Sequence, residues 1–231
     1  MSFDFEVFEF PDVAPGPTKP LVLGPAGEVF NFIQTGESNG GKYLFSKLMV
    51  PPHVGPPPHI HHRTDEWFYA PNGGFTIFLG PNEYTDLERP PGLGVPKETL
   101  HMMEMRPREL YHVRQDYLHA FVNNTNVPQE MWLVWSPDTV ETSILPYFMN
   151  AGTVVDTDEQ IPEPDFLSRI RLVSMARDYG INQSADFWDF VETVIEERPA
   201  WMPDDRRDVL LDLMRNELKD AGSSAGQVTA P

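Results

Sequence analysis

The sequence predicts a mainly β chain, a barrel of short strands followed by an α-helical extension. Its 24 prolines and 16 glycines lie mostly in the first 165 residues, between short runs rich in Phe, Val, Tyr and Trp. That is the composition of a sheet with many turns. After Pro164 the apolar residues change to helical spacing. At 231 residues and 40% apolar content the chain can bury a full core.

In chain order, Phe3, Phe5 and Val7 alternate with Asp4 and Glu6 as an opening strand, which the segment from Pro11 to Pro20 breaks. EVFNFIQTG and GKYLFSKLMV then read as two strands around a polar, glycine-containing loop from Gly36 to Gly41. The next stretch is a proline-rich approach, the strand around HIH, a polar turn, the strand EWFY, an Asn-Gly-Gly turn and the strand FTIFLG. Pro81, Pro90, Pro91, Pro96 and Pro107 rule out long elements, so this part reads as an insertion between two halves of a barrel, with one further candidate strand at Glu98 to Met105. RELYHVRQDYLHAFVNNT and QEMWLVWSPD supply the closing strands.

Three helices are expected beyond them, with stripes at Phe166, Ile170 and Val173, at Phe187, Val191, Val194 and Ile195, and at Val209, Leu210, Leu213 and Leu218. Gly180, Pro199 and Pro203 stand where helix start and stop signals belong. The expected organisation is a barrel domain over 1–160, a helical extension over 161–220 and a disordered tail over 221–231. The helical stripes suit capping of the barrel, packing on its outside, or dimerisation.

A formal charge of -18 opposes binding to nucleic acid or to anionic membranes. With no cysteine, disulfides and thiolate metal sites are excluded, and any metal must be held by nitrogen and oxygen. The acidic N-terminus lacks the basic flank of a signal peptide, and no stretch reaches the roughly 18 apolar residues of a membrane span. A soluble, cytoplasmic protein is therefore expected.

The chemistry centres on His59 and His61, which lie two apart on a strand and so point to one side. Glu66 follows a short polar turn, and the next strand brings its carboxylate back opposite the two imidazoles. Two histidines and a carboxylate on one face can hold a divalent metal and leave positions open. Further along, His119 is followed four residues later by Asn123.

These residues resemble the two motifs of the cupin superfamily. The first, H-x-H followed by Glu and then Gly, is met by His59, His61, Glu66 and Gly73, and the second, H-x-x-x-N, by His119 and Asn123. The resemblance covers about residues 40 to 137 and implies a double-stranded β-helix, or jelly-roll, barrel. It also implies that His59, His61, Glu66 and His119 ligate one divalent transition metal: Fe, Mn, Ni, Co, Cu or Zn. Glu66 would serve as a catalytic base as well, and Asn123 would brace the turn after the metal strand. Two departures stand out. Arg114-Gln115-Asp116 replaces the family's Pro-x-Gly, and the glycine that usually precedes the first motif is displaced to Gly55.

The lead-in GPPPHIHHRTDEWFY is similar to single-domain cupins grouped with quercetin 2,3-dioxygenases, which use three His and one Glu. That likeness implies a metal-dependent dioxygenase cleaving a small aromatic or enolisable substrate, with dioxygen as co-substrate; separately, a homodimer is the expected assembly. The same ligand set suits a metal-dependent isomerase or decarboxylase, and the barrel also suits a non-catalytic small-molecule binding protein. Of the remaining residues, His53, His62, His101 and His112 read as solvent-facing or packing histidines. Trp67, Tyr69, Trp132 and Trp135 read as barrel packing, with an aromatic substrate pocket as the alternative, and Phe68 shares the face of Glu66.

Overall fold

Along a strand, successive side chains point to opposite faces, so short alternating runs decide which residues enter a barrel and which cover it. The computed structural model describes residues 21–24, 27–88, 100–155 and 175–183. The described strands are β1 (Leu21–Leu23), β2 (Val29–Gln34), β3 (Leu44–Val50), β4 (His59–His61), β5 (Asp65–Tyr69), β6 (Phe75–Glu83), β7 (His101–Glu104), β8 (Leu110–Val113), β9 (Tyr117–Asn123), β10 (Gln129–Ser136), β11 (Thr153–Val155) and β12 (Ile181–Gln183). They pair antiparallel in two sheets, β11-β1-β2-β3-β10-β5-β8 and β12-β4-β9-β6-β7.

From β3 to β10 the chain repeatedly crosses between the sheets, leaving β3, β10, β5 and β8 in one and β4, β9, β6 and β7 in the other. This is the jelly-roll barrel of the cupin fold, as the two motifs implied. Its interior is filled by inward-facing residues of both sheets, among them Leu48, Phe68, Phe75, Ile77, Phe121 and Leu133, all buried. Phe68 and Phe121 meet across the barrel edge to face, 5.9 Å apart. A short helix, α2 (Leu145–Ala151), places Phe148 against Phe30 at 4.5 Å and against Trp135 at 5.5 Å.

Three local findings differ from the sequence expectation or resolve its departures. The expected loop after β2 contains a one-turn helix, α1 (Gly36–Asn39), because Thr35 and Ser38 form a capping box and Gly40 closes the turn with φ 76°. At the second motif, Asp116 adopts φ 67°, so an aspartate fills the left-handed position that glycine holds in the family pattern. Gly55 lies where a Cβ would collide with the carbonyl of Phe121, so the proline-rich lead-in can run against the β9 backbone.

Asn123 secures that same junction. Its backbone exchanges hydrogen bonds with the lead-in, His53 N–H donating to Asn123 O and Asn123 N–H to Val54 O, both at 2.9 Å. Its buried side-chain amide donates to the carbonyls of Val50, Pro51 and Val127 at 2.9–3.1 Å.

The expected opening strand lies outside the described residues, as do the second and third helices, most of the first, and the boundary at 160. Within the segment read as a helical extension, a 3-10 turn at Arg177–Tyr179 ends at Gly180, with φ 74°. The chain then returns to the barrel as β12, a strand the sequence reading did not anticipate. Three residues are too few for their period to be seen. Among the described residues, no helix is long and apolar enough to cross a membrane.

Replacing Asn123 with Ala removes two N–H donors shared among three carbonyls, of which Val127 O keeps Thr125 Oγ1, so a loss of about 2–3 kcal/mol is expected in urea unfolding. A loss under about 0.5 kcal/mol would show that the brace is dispensable.

Candidate metal centre

Antiparallel registers bring the four sequence-predicted residues together. His59 on β4 pairs with His119 on β9. Glu66 on β5 lies between Trp135 of β10 and Val113 of β8 in its own sheet, which faces the sheet of β4 and β9. His59, His61, Glu66 and His119 are each at most 9% exposed. Their ligand atoms all lie within 4.8 Å of one another, and the four residues can hold a metal ion.

The hydrogen bonds around the cluster show why. His59 Nδ1 lies 2.9 Å from the carbonyl of Pro57, and His119 Nδ1 lies 2.9 Å from that of Tyr117. A carbonyl only accepts, so each Nδ1 carries a proton and each ring turns Nε2 inward. His119 Nε2 then stands 2.9 Å from Glu66 Oε2, and without a proton on Nε2 the contact would set a lone pair against a carboxylate. Two acceptors at that distance repel unless a cation lies between them. A proton can fill that role, and so can a metal.

The spacing suits a metal. Donors about 2.1 Å from one ion and about 90° apart stand roughly 3 Å from each other. Here His59 Nε2 is 3.1 Å from His61 Nε2, and Glu66 Oε2 is 3.1 Å from His61 Nε2 and 2.9 Å from His119 Nε2. His61 Nδ1 is buried without a partner, so its tautomer is free to follow the ion.

Burial, followed by the neighbouring charges of His119 and His61, pushes His59 well below its ordinary value of 6.5. Burial also lowers His61, against the pull of Glu66. For Glu66 burial acts upward, but the charge of His61 and hydrogen bonds from His119 and His61 outweigh it and hold the carboxyl well below the usual range. His59 and His61 held toward the neutral form beside an ionised Glu66 match the protonation states that metal ligation requires.

Phe68 stands edge to face with His119 at 5.8 Å. Trp135 is buried inside the barrel, whereas Trp67, Tyr69 and Trp132 lie on the opposite face of the sheet. There Trp67 stacks on His112 at 4.5 Å and Tyr69 contacts Trp132 at 5.0 Å. His112 bonds to Asp65 at 2.8 Å, and the exposed His53 to Asn126 at 3.0 Å. His101 is exposed on β7.

His62 is not an idle histidine. It bonds to Asp116 at 2.6 Å and to Asn182 at 3.2 Å, a network that strand alternation alone could not reveal.

Fold and cluster together define a cupin-type jelly roll with a three-histidine, one-glutamate site. No protein-family model and no curated protein matches the chain. Among solved structures it is similar to an RmlC-like cupin from Shewanella frigidimarina, with 11% identity, 54% of this chain and 87% of that one covered, and a TM-score of 0.37. It is similar to KdgF from Halomonas sp., with 13% identity, coverages of 50% and 83%, and a TM-score of 0.36. It is also similar to a recombinant oxalate oxidase in complex with glycolate, with 18% identity and a TM-score of 0.38, covering 50% of this chain and 53% of that one.

His61→Ala should fold but bind far less metal, because a barrel core of this size does not depend on one ion. Calorimetric titration of the stripped protein checks this, and global unfolding of the variant would contradict it.

In the metal-free protein the lowered histidines make the unfolded chain bind more protons below about pH 6.5, so stability is present above that pH and lost below it. The melting temperature should fall between about pH 7 and pH 5, and His59→Gln should flatten the fall. Parallel curves for the two proteins would contradict the assignment.

Proposed function

We propose that this protein is a metal-dependent dioxygenase acting on a small aromatic or enolisable substrate. His59, His61, Glu66 and His119 would hold one divalent transition metal, and Glu66 would double as the base. The observation that carries this reading is the Glu66 carboxylate, buried, ionised and facing two imidazole nitrogens at 2.9 and 3.1 Å. A bound metal would supply a Lewis acid for a substrate oxygen and a place for dioxygen beside it.

The chain's own residues then have distinct tasks. His59 and His119 are locked in orientation by the carbonyls of Pro57 and Tyr117, which fixes the tautomer that presents Nε2. Glu66, ionised at neutral pH, can accept the proton of a substrate enol or phenol. Phe68 and the buried aromatic interior around it keep bulk water from the carboxylate.

The test is an oxygen electrode with flavonol and diketone substrates, using protein loaded with the metal found by elemental analysis of the purified protein. Oxygen uptake is expected in the wild type, and in Glu66→Gln a fall of about 100-fold or more with part of the metal retained. Undiminished uptake in Glu66→Gln would remove it as the base. Turnover without oxygen uptake would replace the reading with an isomerase or decarboxylase, and binding without turnover with a binding protein.

A further inference from the structure

The turn between β4 and β5 carries His61 at its start and Glu66 just beyond its end, and it is held by residues distant in sequence. His62 Nδ1 donates to Asp116 Oδ1 at 2.6 Å, with both side chains largely buried. Asp116 N–H donates to His61 O at 2.8 Å, so one residue grips the turn through side chain and backbone alike. From the other side, His62 N–H donates to Gly180 O at 2.8 Å.

Asn182 of β12 closes the arrangement. Its amide nitrogen has two hydrogens and two acceptors, Leu87 O at 2.6 Å and His62 Nε2 at 3.2 Å. The second bond supports the Nδ1–H tautomer that His62 needs to reach Asp116. Asn182 is itself buried, and its neighbour Ile181 pairs with His61. The loop after β6, the turn after β8 and the strand after Gly180 thus converge on a residue adjacent to a candidate ligand.

We propose that Asn182 is a positioning residue of the metal centre, holding the turn between His61 and Glu66 through the His62–Asp116 pair. The C-terminal segment thereby completes a site whose ligands all lie before residue 120. The proposal rests on the four-ligand reading of the site but not on any reaction. Partners hydrogen-bonded to a metal ligand commonly change the metal affinity about 10- to 100-fold when lost, and Asn182, which acts through His62 and Asp116, belongs at the low end of that range.

The test uses full-length protein stripped with chelator and titrated with Co(II), followed by visible absorption. Wild type is expected to bind one Co(II) per chain. Asn182→Ala should bind it about 10-fold more weakly and with a shifted ligand-field band. Asp138→Ala is the control. Asp138 accepts a hydrogen bond from Gly36 N–H and ties α1 to the chain after β10, so its loss should lower stability and leave Co(II) affinity and spectrum unchanged.

A folded Asn182→Ala protein with wild-type affinity and spectrum would overturn the proposal. So would equal weakening in Asn182→Ala and Asp138→Ala, since that would reflect stability alone. If Asn182→Ala does not fold, Asn182→Ser, which keeps one donor, decides on the same criteria. Failure of the wild type to bind Co(II) at all would instead remove the four-ligand reading, and the proposal with it.

Discussion

The contact between His119 Nε2 and Glu66 Oε2, at 2.9 Å inside the barrel, is the constraint on which the rest depends. Because His119 Nδ1 is committed to the carbonyl of Tyr117, only Nε2 meets the carboxylate, and the contact calls for a proton or a metal ion between the two. Burying such a pair without one costs several kcal/mol. The barrel assembles this contact from two strands in opposite sheets and encloses it with apolar residues, so the local cost is borne by packing elsewhere.

Each surrounding feature follows from keeping those atoms in place. The registers of β4 with β9 and of β5 with β10 set the heights of the four side chains. Gly55 lets the proline-rich lead-in lie on the β9 backbone, and Asn123 pins that lead-in where β9 ends. Asp116, in a left-handed conformation, turns the chain into β9 and reaches back to His62. Its side chain does what glycine at that position cannot do.

The fold was legible because its signals are local. The aromatic run of EWFY and turn residues such as Asn72-Gly73-Gly74 report a strand and the turn after it directly. The four candidate ligands were legible through motif spacing, and His59 and His61 through the two-residue period of a strand. What escaped was non-local. β12 is three residues long with no period to read, and the bonds of His62 reach Asp116 and Asn182, 54 and 120 residues away. Strand alternation correctly turned His62 away from its neighbours, but it could not say what His62 would meet. The helix at Gly36–Asn39 escaped for another reason. Four residues held by a capping box and a left-handed glycine look like a polar loop in composition.

The buried nitrogen and oxygen atoms are arranged for one metal ion, and X-ray absorption spectroscopy of the reconstituted protein is the decisive measurement. The expected spectrum shows a first shell of nitrogen and oxygen at about 2.0–2.2 Å, with the outer-shell scattering of three imidazoles. A shell with one imidazole or none would place the ion outside the barrel cluster and overturn the four-ligand assignment.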